Sequence, residues 1–267
     1  AAAPPDVALT RPEGLAAGVA RLLPHVDWDW GGLGRAPKFP SASTLELFLN
    51  MSRLAGQFAG GDPPARAAAM LRLTLEKMWR GGVYDHLRGG FARYSVDRYW
   101  RVPHFEKMLY DNAQLLPLYA EASALWQDDA WLWPVARDTL EYLRVEMRDP
   151  GGAFYAATDA DSEGEEGKYF AWTPAQIAEV LQDDELTRLA VHAYGVTRAG
   201  SFEHGRSVLQ RERELDVCAQ RLGVTRARLE EGLERARARL LEHRYTREPP
   251  GRDDKLLTAW NGLLISG

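Results

Sequence analysis

The chain passes from helix to loop at Met78-Trp79-Arg80-Gly81-Gly82-Val83-Tyr84, where a helical pattern stops, two glycines follow, and an aromatic segment begins. The same order recurs in Glu146-Met147-Arg148 followed by Gly151-Gly152-Ala153-Phe154-Tyr155. A glycine pair after a helical pattern marks a turn, and alternating aromatic residues favour a short strand. Two loops of the same design between helices indicate repeated helical hairpins with decorated loops at one end.

Apolar residues recur at helical spacing in six segments, and these segments stand in pairs. A fainter repeat supports the pairing, because Lys107-Met108-Leu109 running to Leu115-Leu116 resembles Lys255-Leu256-Leu257 running to Leu263-Leu264. We therefore predict a mostly helical chain whose hairpins are arranged in a ring, with a plain helical bundle as the alternative. The strong segments are 43–58, 65–80, 104–126, 130–148, 225–245 and 254 onward, and the weaker ones are 12–23, 174–182 and 185–194.

Composition excludes several classes of protein. The 267 residues are 45% hydrophobic and include nine Trp, which is enough to bury a sizeable core. The net charge of −5 comes from 38 acidic and 33 basic residues without a basic face, so nucleic acid is not an expected partner. No apolar run is long enough to span a membrane, and the single Cys218 excludes an internal disulfide or a C-x-x-C site. A cytoplasmic protein is expected, and the missing initial Met suggests a piece of a longer one.

The segment from Gly81 to Asn112 is the richest in chemically useful side chains. Residues 90–102 predict a β-hairpin that turns near Val96-Asp97. Pro103 then predicts a helix start, which would place His104, Lys107 and Asp111 on one helical face. Such a set could donate, accept and orient a proton around a polyol. The alternative is a buried hydrogen-bond network that fixes the loop to the helix.

An acidic loop, 158–167, lies between two segments that we expect to be aromatic strands, 153–157 and 168–172. Its first positions imitate a calcium-binding loop, but Phe170 stands where that loop needs a bidentate Glu. Asp159 and Asp161 could instead act on sugar hydroxyls or as an acid/base pair. The glutamates of the loop, Glu163, Glu165 and Glu166, are expected to solvate the hairpin tip.

The other motifs mainly exclude classes of binding site. Asp253 and Asp254 precede the predicted helix at 254, where capping alone explains Asp253. The glycines within 28–40 lack the spacing of a nucleotide-binding loop, and neither H-E-x-x-H nor G-x-S-x-G occurs. Because no two histidines stand four residues apart, we predict no zinc site of that kind, and we expect neither a metal nor a cofactor.

Taken together, the long motifs of this chain resemble those of the family of spermatogenesis-associated protein 20 and its bacterial relatives. The resemblance implies a thioredoxin-like domain followed by a six-hairpin (α/α)6 toroid similar to sugar 2-epimerases, isomerases and some glycoside hydrolases. It implies that residues 1–27 are a linker and helix from the preceding domain. Residues 28–267 would then be the N-terminal half or more of the toroid, truncated at its C-terminus. The motifs are 31–40, 82–87, 93–97, 102–112, 159–164 and 253–262.

In the relatives of this toroid fold, substrates lie in a cleft at the loop-bearing end. The leading hypothesis is therefore a domain that binds or processes a carbohydrate, as an epimerase, an isomerase or a glycosidase. Proton transfer is assigned to His104 with Asp85 or Asp159. The alternative is a non-catalytic module that binds a partner of the covalently linked thioredoxin-like domain. The expected substrate-binding residues are Tyr84, His86, Arg93, Trp100, Glu106, Lys107, Asp111, Asn112, Asp161, Trp172, Asp254, Trp260 and Asn261.

Overall fold

A computed structural model describes residues 12–54 and 62–267, and within these ranges the chain is mostly helical. The prediction of a helical chain with short β-hairpins in its loops is confirmed. A single π-helical turn, Leu143–Met147, continues the fifth helix. The helices are α1 (Pro12–Leu22), α2 (Ala42–Arg53), α3 (Asp62–Arg80), α4 (Leu109–Leu125), α5 (Leu132–Tyr142), α6 (Pro174–Leu181), α7 (Asp184–Ala193), α8 (Leu215–Leu222), α9 (Arg226–Arg244) and α10 (Thr258–Ser266).

Three of these helices, α2, α4 and α10, form a row in which α4 contacts both of the others. Each of the first two has its hairpin partner packed against it, because α3 lies on α2 and α5 lies on α4. The result is two layers of helices, as expected for part of an α/α toroid. One continuous core lies between the layers and includes Phe48, Met70, Leu115 and Tyr119. Helix α1 packs against α2 and α3.

Short strands tie together the loops that precede the row helices. Strand β3, just before α4, pairs through Lys107↔Thr158 with β4, and β4 pairs through Ala157↔Asp253 with β7, which lies before α10. The N-terminal ends of α4 and α10 therefore lie at the same end of the row. The strands are β1 (Tyr94–Ser95), β2 (Pro103–His104), β3 (Lys107–Met108), β4 (Ala157–Thr158), β5 (Asp161–Ser162), β6 (Glu165–Glu166) and β7 (Arg252–Asp253).

A second helical unit, formed by α6 to α9, is inserted between β6 and β7. It has its own apolar core around Trp172, Ile177, Leu189 and Leu240. Helix α6 begins with a capping box in which the Thr173 side chain accepts from the backbone of Gln176 and the Gln176 side chain accepts from Thr173. Helix α7 packs on α9, which makes α9 the central element of the unit.

Two predicted helix starts are wrong. Helix α4 begins at Leu109 and not at 104, because residues 103–104 pair as β2 with β1 through Tyr94↔His104. Helix α10 begins at Thr258 and not at 254, because Arg252–Asp253 pairs with β4. In both places the ladder hydrogen bonds to a distant strand outweigh local signals that are equally good for a helix. The predicted hairpin within 90–102 is confirmed in part, since its second strand starts one residue later.

Other helices and strands also differ from those predicted from the sequence. Helix α8 has no side-chain cap at its N-terminus and is not among the predicted helical segments. The strands expected at 153–157 and 168–172 are reduced to β4 and isolated bridges at Phe154 and Trp172, and the hairpin of the acidic loop is β5–β6. The predicted end of the helix at 55–58 lies outside the described residues.

None of the described helices is long and apolar enough to cross a membrane.

Helices α4 and α10 make the same contact from the same position of their first turn. Asn112, in the first turn of α4, accepts a hydrogen bond from the backbone N–H of Phe91 and donates to its carbonyl. Asn261, in the first turn of α10, makes the same two bonds with Phe154. Each asparagine also donates to the carbonyl four residues before it, Met108 or Leu257. Both row helices therefore hold the backbone of an aromatic residue that comes shortly after two glycines, Gly89-Gly90 before Phe91 and Gly151-Gly152 before Phe154.

Candidate functional site

The segment between β2 and α4 is extended and sorts its side chains onto two sides. Pro103, Phe105 and Lys107 are buried, whereas His104 and Glu106 are partly exposed. Successive side chains of an extended chain point to opposite sides, so neighbours in sequence enter different environments. The prediction that His104 and Lys107 share one face was wrong for this reason.

His104 lies on the solvent-facing side of this segment. Its Nδ1 is 2.8 Å from Glu166 Oε1, and a carboxylate can only accept there, so Nδ1 carries the hydrogen. The Nε2 atom lies 3.7 Å from Glu106 Oε2. The ring of Tyr94 stacks on the imidazole with centroids 4.9 Å apart. His104 is thus an imidazole oriented by Glu166 and Tyr94, and an oriented imidazole is a common group for proton transfer.

Arg93 and Asp111 continue the polar surface beyond His104. Arg93 Nη1 donates to Glu106 Oε2 at 2.9 Å, and its positive charge also acts on Asp111. Asp111 Oδ2 is buried and accepts no hydrogen bond from the described residues. Arg93 Nε is also buried and donates no hydrogen bond to them. Burial raises the pKa of Asp111 to about 7. We call Arg93, His104, Glu106, Asp111 and Glu166 the open cluster.

Aromatic rings border the open cluster. Phe39 is 47% exposed and packs against Tyr94 with ring centroids 4.9 Å apart. Tyr110 meets Trp260 of α10 edge to face, also at 4.9 Å. Partly exposed aromatic rings beside charged hydrogen-bonding groups suit a ligand that has both apolar faces and hydroxyl groups.

Asp85 lies in a different, buried cluster. Its carboxylate accepts from Lys107 Nζ at 2.9 Å and from Arg244 Nη1 at 2.8 Å, and these cations hold its pKa far below the usual range. Lys107 also donates to the carbonyl of Gly89 and lies over the ring of Tyr142. A permanently ionised carboxylate with both oxygens occupied is poorly suited to proton transfer. We call Asp85, Lys107 and Arg244 the buried triad.

Four more of the predicted substrate-binding residues are buried. Trp100 is fully buried and donates from Nε1 to the carbonyl of Trp30. Trp172 is fully buried under the guanidinium of Arg247. Tyr84 and His86 are nearly buried and lie edge to face. None of these four rings is positioned on the open cluster.

The remaining predicted residues are distributed between surface and backbone contacts. Asp159 and Asp161 are exposed, and Asp159 accepts from the backbone N–H of Ala160. Asp254 is exposed and accepts from Arg252 Nε at 2.6 Å. Asn112 and Asn261 use their amides on the backbone, as described above. The expectation that Glu165 and Glu166 only solvate the hairpin tip was wrong, because Glu165 pairs with Arg206 and Glu166 with His104.

Sequence reasoning overlooked several residues that shape the site. Tyr94, Tyr110 and Phe39 could have been found from the alternation of aromatic and charged residues around His104. Arg244 could not, because an arginine near the end of a charged helix is typical of a solvated surface. Within residues 12–54 and 62–267, no three His, Cys, Asp or Glu side chains are grouped so that they could hold a metal ion.

Replacement of the buried carboxyl of Asp111 is expected to stabilise the chain in alkaline solution. A raised pKa means that the folded chain keeps a proton that the unfolded chain loses, so stability falls as pH rises from about 4 to 7 and is level above. Asp111→Asn removes this loss. One pKa unit corresponds to about 1.4 kcal/mol, and partial solvent contact reduces the total, so we expect a gain of about 1–2 kcal/mol at pH 8.

Urea denaturation at pH 5 and pH 8 measures this difference. The advantage of Asp111→Asn over the parent should be larger at pH 8. The exposed Asp161→Asn serves as the control and should change little at either pH. An advantage that is equal at both pH values would show that Asp111 does not hold its proton in the folded chain.

The comparisons with known proteins agree with the sequence motifs. No family model matches. Spermatogenesis-associated protein 20 of Homo sapiens is 37% identical over 268 residues, and that of Mus musculus is 36% identical, each alignment covering 90% of this chain. The chain spans about a third of the length of these relatives, since 33% of each is covered.

Solved structures give a more distant likeness. A sugar epimerase from a ruminal bacterium aligns with a TM-score of 0.42 at 11% identity, covering 90% of this chain and 77% of that protein. The cellobiose 2-epimerase of Spirochaeta thermophila also has a TM-score of 0.42, at 15% identity, with 98% of this chain and 71% of that protein covered. Over the third of their length that it spans, the chain is similar to spermatogenesis-associated protein 20 at 36–37% identity, in line with the motifs of its sequence.

Proposed function

We propose that the open cluster binds a sugar-like substrate and transfers protons at the carbon next to its carbonyl group, as an epimerase or isomerase does. The observation that carries the proposal is the pair of buried, unpartnered polar atoms, Asp111 Oδ2 and Arg93 Nε, beside an oriented imidazole. Buried polar atoms are nearly always hydrogen-bonded, and the exceptions need an explanation. A polyol supplies both the donor and the acceptor that these two atoms lack.

His104 is the base in this proposal. Its Nε2 would remove the proton from the carbon beside the carbonyl, and the C–H electrons would move into a new C=C bond while the carbonyl oxygen takes a proton from Asp111. An enediol results. Asp111 suits the acid role because a carboxyl with a pKa of about 7 is partly protonated at neutral pH. Return of a proton to either carbon gives the epimer or the isomer.

The other members of the site hold these groups in place. Glu166 fixes the hydrogen of His104 on Nδ1, and Glu106 fixes Arg93. The rings of Phe39, Tyr94 and Trp260 would contact the apolar faces of the sugar. In this proposal Asp85 and Lys107 hold the loop, and Asp159 and Asp161 lie at the margin of the site.

Glycoside hydrolysis is the second candidate, because the raised pKa of Asp111 also suits an acid that protonates a leaving group. The partner-binding module is the non-catalytic alternative, and it predicts no effect of sugars. A linked thioredoxin-like domain and a cytoplasmic location stay predictions of the family resemblance.

Proton exchange in D₂O separates these functions. We expect the full chain, incubated with reducing mono- and disaccharides, to replace the hydrogen at C2 of one sugar class with deuterium, which proton NMR detects as loss of the C2–H signal. The methyl glycoside of the same sugar, which has no free carbonyl form, should not exchange. Release of a reducing end without deuterium would identify a hydrolase, and sugar binding without either reaction would overturn the catalytic proposal.

A further inference from the structure

A cavity lies away from the open cluster, between the ends of α3 and α5 and the inserted helical unit. Its volume is about 420 Å³, which falls within the usual size of small-molecule sites. Trp79 and Trp131 form one wall and are stacked in parallel with centroids 4.8 Å apart. Tyr194 and Leu233 of the inserted unit face them across the cavity. No residue of the open cluster lines this space.

One cation of the cavity has no counter-charge. The guanidinium of Arg211 is partly buried and lies over the Trp79 ring at 5.5 Å, and it makes no hydrogen bond or ion pair within the described part of the chain. The backbone on either side of it is fixed, because Arg211 N–H donates to the carbonyl of Arg80 and Arg80 Nη1 donates to the carbonyl of Arg211. A positioned guanidinium with free N–H groups is suited to a carboxylate or phosphate.

The acidic residues of the cavity do not neutralise Arg211. Asp138 is already shared by Arg237, at 2.8 Å, and Arg137, at 2.9 Å. Glu230 pairs with Arg226 at 3.0 Å. Glu234 is exposed at the rim. The inner part of the cavity is therefore electropositive.

The floor of the cavity is polar but uncharged. His86 Nε2 lies 3.0 Å from the carbonyl of Gly81, so this nitrogen carries the hydrogen and Nδ1 is left as an acceptor. Burial, together with the charge of Arg211, lowers the pKa of His86 to about 3, and the ring is neutral in ordinary buffers. Tyr84 and Tyr194 complete this floor. Such a surface can bind the uncharged ring of a ligand while Arg211 binds its anionic group.

We propose that this cavity is a binding site for a small anionic ring compound, a molecule with a carboxylate or phosphate group on a sugar or aromatic ring, whose anion pairs with Arg211. The site is independent of the open cluster and of the reaction proposed there. A ligand in it would contact the outer helices α3 and α5 as well as the inserted unit.

Isothermal titration of the full chain with glucose 6-phosphate, benzoate, inorganic phosphate and glucose tests the proposal. We expect at least one of the two ring anions to bind at a single site, inorganic phosphate to bind more weakly, and glucose not to compete. Arg211→Gln should weaken the ring anion by about 10- to 100-fold, because a charge-assisted pair is lost. The control Arg221→Gln removes the same charge from an exposed position on α8 and should change the affinity less than twofold.

Two further variants keep the result interpretable. Ala130→Trp, at an exposed position that lines the cavity, should block binding while the thermal unfolding temperature stays near that of the parent. Asp111→Asn should bind the anion normally, which separates this site from the open cluster. Absence of binding by both ring anions, equal affinity for inorganic phosphate, or undiminished binding in Arg211→Gln would each overturn the proposal.

Discussion

Asp85→Asn is expected to lower the free energy of unfolding by about 3–5 kcal/mol, the usual cost of removing one partner from a buried ion pair. The substitution keeps the size of the side chain but leaves Lys107 and Arg244 without a negative charge. Their side chains are 3% and 1% exposed, so water cannot replace the lost partner. The buried triad also joins three distant segments, the loop after α3, strand β3 and the end of α9, which makes local relaxation difficult.

Chemical denaturation followed by circular dichroism measures this loss. The control is Asp254→Asn, in which an exposed carboxylate bonded to Arg252 loses its charge, and it should change stability by less than about 0.5 kcal/mol. Lys107→Met made in the Asp85→Asn background should restore part of the stability, because it removes one of the unpaired cations. A loss below about 1 kcal/mol for Asp85→Asn would show that the triad contributes little.

His104→Gln is expected to reduce the rate of deuterium exchange into the sugar by about 10²- to 10⁴-fold, the range usual for a general base. Stability should change little, because His104 is partly exposed and its partner Glu166 is 41% exposed. The exposed His25→Gln provides the control for loss of a histidine elsewhere. If His104→Gln exchanged protons at the parental rate, another group would have to be the base.

Glu166→Gln tests the positioning of that base. The variant keeps an oxygen that can accept from Nδ1 of His104 but lacks the negative charge, so the imidazole becomes less basic. We expect the rising part of the pH–rate profile to move to lower pH and the maximal rate to fall about tenfold, less than in His104→Gln. An unchanged pH profile would mean that Glu166 supports the hairpin without acting on His104.

Much of the fold could be predicted because its helices carry strong local signals. The segments that became α2, α3, α5 and α9 were found from their apolar periodicity. The starts of α4 and α10 were missed because β2 and β7 depend on strands far away in the sequence, and no local pattern encodes that pairing. Helix α8 was missed because it is short and lacks a capping residue.

The site was predicted as a set of residues but not as an arrangement. Glu106 and Lys107 are adjacent in sequence and equally charged in magnitude, yet one is in the open cluster and the other in the buried triad. Asp111 and Asn112 likewise separate, because successive helical residues point about 100° apart. Only the direction of each side chain relative to the core decides which group can meet a ligand, and that direction was misjudged when a helix was predicted at 104. Arg211 and Arg237 were overlooked because arginines among glutamates usually indicate a solvated surface.

The pairing of β4 with β7 closes a long loop, since Thr158 and Arg252 are opposite each other but 94 residues apart. Loop-closure entropy rises only with the logarithm of loop length, so doubling such a loop costs about 0.6 kcal/mol. Loop closure therefore places almost no limit on the length of the α6–α8 segment, whereas α9 is tied to the row of helices through Arg244 of the buried triad. Variation in length among relatives should therefore concentrate in α6–α8, while Arg244 and the sheet of β3, β4 and β7 should be retained.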